Sequence, residues 1–160
     1  MADAEVMTAE QAHEIIGGFL VRCSLMNYRS GQMIARWFSE DERFKPLGYV
    51  MHNLSFSHKK DVVALRLTTG HPEADAVRAV MEEADAIMQR RDLVANGLLS
   101  GGPKGSFSIK SHSAARFLMG SGEVDILPVS EIPAWSARAV AASEEIVRLA
   151  DFMKGRADRA

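Results

Sequence analysis

A single cysteine, Cys23, stands in the 160 residues. No intrachain disulfide can therefore form, and no cysteine cluster can hold a metal. Charge of one sign is lacking too. The formal net charge is −2, so the chain has no overall basic character, and any contact with nucleic acid has to come from a local patch. Long apolar runs are missing: no uncharged stretch approaches the roughly 20 residues that cross a bilayer. The beginning, MADAEVMTAEQ, lacks the basic region and apolar segment of a secretory signal. The expected setting is the cytoplasm, taken as bacterial, with no membrane partner. Internal repeats and low-complexity tracts are also absent.

What is present is ordinary for a globular protein: 47% hydrophobic and 25% charged residues, enough to close a core without disulfides or metals. We expect one domain over residues 9–154, a flexible start at residues 1–8 and a frayed tail at residues 155–160.

Thr8 and Gln11 have the S/T-x-x-E/Q form of a capping box, which starts a first helix after Thr8 that runs to about Phe38. Its stripe of Ile16, Leu20, Cys23, Asn27, Gly31, Ile34 and Phe38 is widened by Phe19, Met26, Met33 and Trp37. So wide an apolar surface suggests contact both with the chain's own core and with a second copy. Asn27, in mid-stripe, needs hydrogen-bond partners, most simply a structural polar pair, or else a place near Arg91. Cys23 reads as a small core hydrophobe.

A short helix is expected over Leu47 to Leu54, and another after a cap at Ser55 or Ser57. The next stretch, residues 72–98, is the most regular in the chain. Val77, Val80, Met81, Ala84, Ile87, Met88, Val94 and Leu98 recur at three- and four-residue steps, so one amphipathic helix is predicted, with Pro72 in its first turn. Arg91 falls on this stripe where a hydrophobe is expected, and a buried or interfacial guanidinium needs a partner. Arg90-Arg91 with Lys59-Lys60 would make at most a modest basic patch, and the lysines read as solvated.

Residues 100–105, SGGPKG, read as a loop. They lack the GxxxxGK[ST] form of a phosphate loop, and no helix follows. Ser106 to Lys110 alternates with period two and Val124 to Val129 could return, with Gly120-Ser121-Gly122 as the turn, so a β-hairpin is predicted with Pro128 on an edge. A last helix runs from Ile132 to about Lys154. The fold class is mainly α: an antiparallel bundle of four to five helices with a small β-hairpin before the last one.

The segment Arg91-Asp92-Leu93-Val94-Ala95-Asn96-Gly97 resembles the RNxxAHG signature of HEPN-type helical proteins. The layout of a long first helix, a short helical pair, the motif helix, a hairpin and a closing helix is similar over most of residues 10–153. The resemblance implies a dimer formed through the first helix and residues 72–98. In active members it implies metal-independent RNA cleavage, in which a His transfers protons and an Arg steadies phosphate charge. Arg91 matches that Arg, but Asp92 replaces Asn and Asn96 replaces His. Asn96 has no proton to exchange near neutral pH, and general acid-base catalysis typically supplies roughly 10²–10⁴-fold. Asp92 would also set negative charge beside a phosphate.

The expectation is thus a degenerate HEPN-like dimer that binds a protein partner or RNA through Arg91, Asn96, Asp92 and Asn27, with no confident catalytic residue, metal or cofactor. The alternatives are a slow ribonuclease or toxin-like factor that borrows a histidine, and a structural interaction protein in which Arg91 meets an acid such as Asp85 or Glu82 of a partner chain. His13, His52, His58, His71 and His112 are scattered without metal-site spacing, and His52 and His58 are the pair to inspect.

Overall fold

A computed structural model of the chain describes residues 6–38, 44–66, 73–112 and 124–157. Within them the protein is mainly helical, with a small antiparallel sheet before the last helix. The helices are α1 (Ala9–Phe38), α2 (Phe44–Asn53), α3 (Phe56–Arg66), α4 (Ala74–Asn96) and α5 (Ile132–Ala157). The strands are β1 (Leu98–Gly101), β2 (Phe107–His112) and β3 (Val124–Pro128).

The helix starts follow local chemistry. Thr8 N–H donates to Gln11 Oε1 at 2.7 Å, and Gln11 N–H returns a bond to Thr8 Oγ1 at 3.1 Å. This reciprocal capping box satisfies donors that have no partner within the helix. His58 N–H donates to Ser55 Oγ at 3.3 Å, so Ser55 caps α3. A 3₁₀ turn, Val129–Glu131, leads into α5. The helix continues to Ala157, through part of the segment expected to fray.

Helix directions can be read from side-chain pairs. Arg22 Nη1 donates to Ser136 Oγ at 2.5 Å and Arg29 Nη1 to Ser143 Oγ at 2.9 Å, the same offset of 114 residues twice. Seven residues forward on α1 is therefore seven residues forward on α5, so this pair runs parallel. Ion pairs between Arg138 and Glu83 and between Arg148 and Glu73 run the opposite way, setting α4 antiparallel to α5. An antiparallel arrangement thus holds for α4 against α5 and α1, while α1 and α5, which form the most extensive helix pair, are aligned. Phe19, Cys23, Met26 and Met33 from α1, Val77, Met81 and Ile87 from α4, and Ile146 and Leu149 from α5 close the core.

The sheet, in the order β1-β2-β3, has one strand more than the hairpin expected from the sequence. Residues 98–101, expected as the end of a helix and the start of a loop, pair antiparallel with β2 from Leu98↔Lys110 to Gly101↔Phe107. Gly97 makes this possible. It leaves α4 in extended conformation, and a Cβ there would collide with Ile109 Cγ2 and lie 2.8 Å from Leu93 O. Only a residue without a side chain lets the strand turn back so tightly against the helix end. Four residues ending in Ser100-Gly101 are too few and too polar to show a strand period, so their conformation is imposed by pairing with β2. Pro128 lies on β3, an edge strand, as expected. The expected turn at residues 120–122 falls outside the described residues.

The sheet is sided. Ile109 and Leu127 face the core, while the cross-strand row Leu98, Lys110 and Ile126 is exposed. Leu98, which helical spacing makes the last member of the α4 stripe, is 76% exposed. The chain has left helical phase one residue earlier, and strand geometry turns Leu98 outward. Among the described residues no helix is long and apolar enough to cross a membrane.

Candidate functional site

The motif occupies the last turns of α4. Arg91 does not enter the core with Val77, Val80, Met81, Ala84, Ile87 and Val94 of its stripe, because its side chain is 38% exposed. Its Nη1 donates to Asp92 Oδ1 at 2.8 Å, so the partner that a guanidinium on this face requires is the carboxylate next to it in sequence. Asn96 Nδ2 donates to the backbone carbonyl of Asp92 at 2.9 Å. Such a bond back to the carbonyl one turn earlier occupies the asparagine locally. Arg91, Asp92 and Asn96 therefore form one closed local group at the end of α4. Glu82 and Asp85, the other acids considered for Arg91, both accept from Lys60 Nζ at 2.8 Å.

Cys23 is buried close enough to this group to feel its charges. Burial pushes its thiol up to about 12, with Arg91 pulling down and Asp92 adding to the rise. At neutral pH it is a protonated core side chain, and a thiol held in that form is a poor nucleophile.

Asn27 belongs to a different constellation. Its side-chain oxygen accepts from Lys59 Nζ at 2.6 Å, and its backbone carbonyl accepts from the same nitrogen at 3.1 Å. The His52 carbonyl at the end of α2 lies 3.5 Å away. Lys59 is 0% exposed, which overturns the expectation of a solvated lysine. Burial drives its amine down from 10.5 to about 8, because the charged form gives up water for neutral carbonyl dipoles. The ammonium ties α1, α2 and α3 together. Asn27 is thus a structural polar partner of Lys59, while Arg91 is engaged with Asp92, so the two candidate residues belong to separate groups.

The anticipated basic patch does not assemble. Lys59 is inside, Lys60 is shared by two carboxylates, and Arg91 is paired. Arg90 lies 4.8 Å over the ring of Trp135, on which Arg138 also stacks at 3.9 Å. Arg138 itself is held bidentately by Glu83, which lowers the Glu83 carboxyl below its ordinary range. A cleft of about 360 Å³ opens beside this stack, lined by Ala86, Gln89, Arg90, Leu93, Asp125 and Trp135.

Among the described residues no hydrogen bond or ring contact joins a histidine to the motif. His13 is exposed on α1. His52 sits edge-on to Tyr28, 5.6 Å between ring centres, and His58 Nδ1 contacts Ser55 Oγ at 2.7 Å. His71 and the side chain of His112 lie outside the described residues. The Gly101–Gly105 segment is a tight turn closed by Gly102 N–H to Ser106 O at 2.7 Å, and it feeds β2 and not a helix. Among the described residues no three His, Cys, Asp or Glu side chains are grouped to hold a metal.

Sequence reasoning misses two pairs: Arg22 with Ser136, and Arg29 with Ser143. Their signal is a heptad spacing, seven residues between the arginines and seven between the serines. It becomes meaningful only once α1 and α5 are known to lie side by side. Comparison with protein-family models, curated proteins and solved structures finds no match to this chain.

Proposed function

We propose that this chain is a HEPN-like helical protein that acts by binding and not by catalysis. The observation that carries the reading is the closed state of the motif: Arg91 donates to Asp92 and Asn96 donates to the Asp92 carbonyl. A nuclease of the kind the motif suggests needs an imidazole at the position of Asn96 for proton transfer and a guanidinium open to phosphate. Here the first is replaced by an amide, and the second has its charge offset by an adjacent carboxylate. The pair retains a helix-end role, in which the Asn96 side chain bonds back to the Asp92 carbonyl and Arg91 lies near the Cys23 region of α1.

The test is incubation of the purified protein with labelled single-stranded RNA in the presence of a metal chelator. No cleavage above the protein-free rate is expected, from the wild type or from Arg91→Ala. Cleavage by the wild type that Arg91→Ala abolishes would establish an enzyme and overturn the proposal.

A further inference from the structure

Half of the large exposed apolar side chains lie on the two parallel helices α1 and α5. Among the described residues ten large hydrophobics are exposed, and five of them, Val21, Leu25, Tyr28, Val140 and Val147, belong to α1 and α5. None lies on α4, whose exposed positions are the polar Asp75, Arg78, Glu82, Gln89, Asp92 and Asn96 with the small Ala79 and Ala95. In residues 72–98 the one large exposed hydrophobic among the described residues is Leu98, on β1, whereas the groove between the parallel helices α1 and α5 gathers five. Arg22, Leu25, Arg29, Ala139, Val140 and Ser143 line it. It continues past Tyr28, Gln32 and Val147. Apolar surface gathered in this way and edged by charge is the signature of a protein contact.

The charges on this face are unbalanced locally and balanced as a set. Arg22 and Arg29 make their side-chain hydrogen bonds to serine hydroxyls, with no carboxylate among the described residues in ion-pair range. Glu144 is exposed and has no ion pair among the described residues. It sits on α5 four residues after Val140 and three before Val147, on the same side of the helix. One surface thus carries both the unneutralised cations and a carboxylate that could neutralise one, out of reach of each other within the chain.

We propose that a second copy of this chain covers the groove in a two-fold, antiparallel contact that sets Arg22 of one protomer against the partner's Glu144, and the reverse. The register follows from the Arg–Ser rungs. Residue n of α1 is level with residue n + 114 of α5, so Val140 lies level with Met26, Val147 with Met33 and Glu144 with Ser30. The exposed apolar set is centred near the level of Met26. A two-fold axis there sends a residue about 6 Å above the centre to about 6 Å below it, four residues at 1.5 Å each. It carries Glu144, at the level of Ser30, to the level of Arg22. The same operation places Val147 at the partner's Phe19 level, two residues from the partner's Val21, and leaves Val140 beside the axis. An isologous interface needs this self-complementarity, and it yields two Arg–Glu pairs from one. The inference rests on reading the chain as a binding protein, and it names the partner.

Sedimentation of the full chain at micromolar concentration tests it, with circular dichroism as the check on folding. The wild type is expected to be a dimer, and Val140→Glu and Glu144→Arg, both at exposed positions, to weaken it at least about tenfold. Arg22→Glu should weaken it similarly, and Arg22→Glu combined with Glu144→Arg should restore it toward wild type, because the pair is re-formed with its signs exchanged. A monomeric wild type at about 100 µM, a dimer indifferent to the single variants, or a double variant no tighter than either single would each overturn the proposal. So would a monomer that binds RNA in a manner lost on Arg22→Glu, since the groove would then serve a polyanion. RNA cleavage is read in its own assay, so a failed dimer leaves the non-catalytic reading standing, and a positive cleavage result leaves the dimer standing.

Discussion

Lys59→Met isolates the most unusual electrostatic feature of the fold. Methionine keeps the length of the side chain and removes the ammonium. In the folded protein the amine titrates at about 8 against an ordinary 10.5, so between those pH values the unfolded chain binds more protons than the native one. Stability then rises with pH across that window. Below about pH 8 both states are protonated and the whole desolvation cost is present, and above 10.5 it has gone. A displacement of that size corresponds to about 3 kcal/mol. At pH 7 the variant sheds this cost, but it leaves the Asn27 side-chain oxygen without its donor, for a loss of about 1–3 kcal/mol. The two effects oppose each other, and the pH slope separates them.

Urea unfolding followed by Trp fluorescence at pH 7, 8, 9 and 10 measures that slope. Wild-type stability minus Lys59→Met stability is expected to climb with pH, by up to about 3 kcal/mol over the full window. Asn27→Asp is the companion variant. It places a carboxylate at the 2.6 Å acceptor position, returns the amine toward its ordinary range and should flatten the climb. Parallel curves for wild type and Lys59→Met would mean that the amine titrates as in water. A difference that falls with pH would mean that the carbonyl cage prefers the ammonium. Either result refutes the reasoning.

Two further substitutions test how the chain leaves α4. Gly97→Ala should destabilise the protein by roughly 1–3 kcal/mol, because its Cβ must displace Ile109 or the Leu93 carbonyl; urea unfolding measures this, and an unchanged midpoint would show that the β1 turn tolerates a side chain. Leu98→Ser, at a position that helical spacing would bury, should shift stability by no more than about 0.5 kcal/mol, and a loss of the size expected for a core leucine would return residue 98 to the α4 stripe.

How far the sequence discloses this fold depends on the range of the interaction that decides each element. The capping box of Thr8 and Gln11 and the Ser55 cap involve residues three apart, and both are legible from the residues alone. The long helices follow from repeated three- and four-residue spacing that many side chains reinforce. Strand β1 is not legible, because its conformation depends on Gly97 fitting against Ile109, a contact across twelve residues that no local pattern encodes. Lys59 misleads for a related reason. A lysine carries no sign of burial in itself, and the acceptors that admit it, on Asn27 and His52, come from two other helices.

The motif shows a further difference between residue type and role. Arg91 and Asn96 stand out because their spacing resembles a catalytic signature, yet spacing along a helix is also what brings local partners together. Asp92 lies beside Arg91, and its carbonyl lies one helical turn before Asn96, so the positions that suggest a site also supply a way to close it. Arg22 and Arg29 are ordinary arginines in the sequence until the offset of 114 residues pairs each with a serine on α5. These two arginines, not Arg91, have no carboxylate among the described residues to offset their charge, and they edge the groove where apolar side chains are exposed. Charge balance therefore moves the search for a partner away from the signature and onto the α1–α5 face.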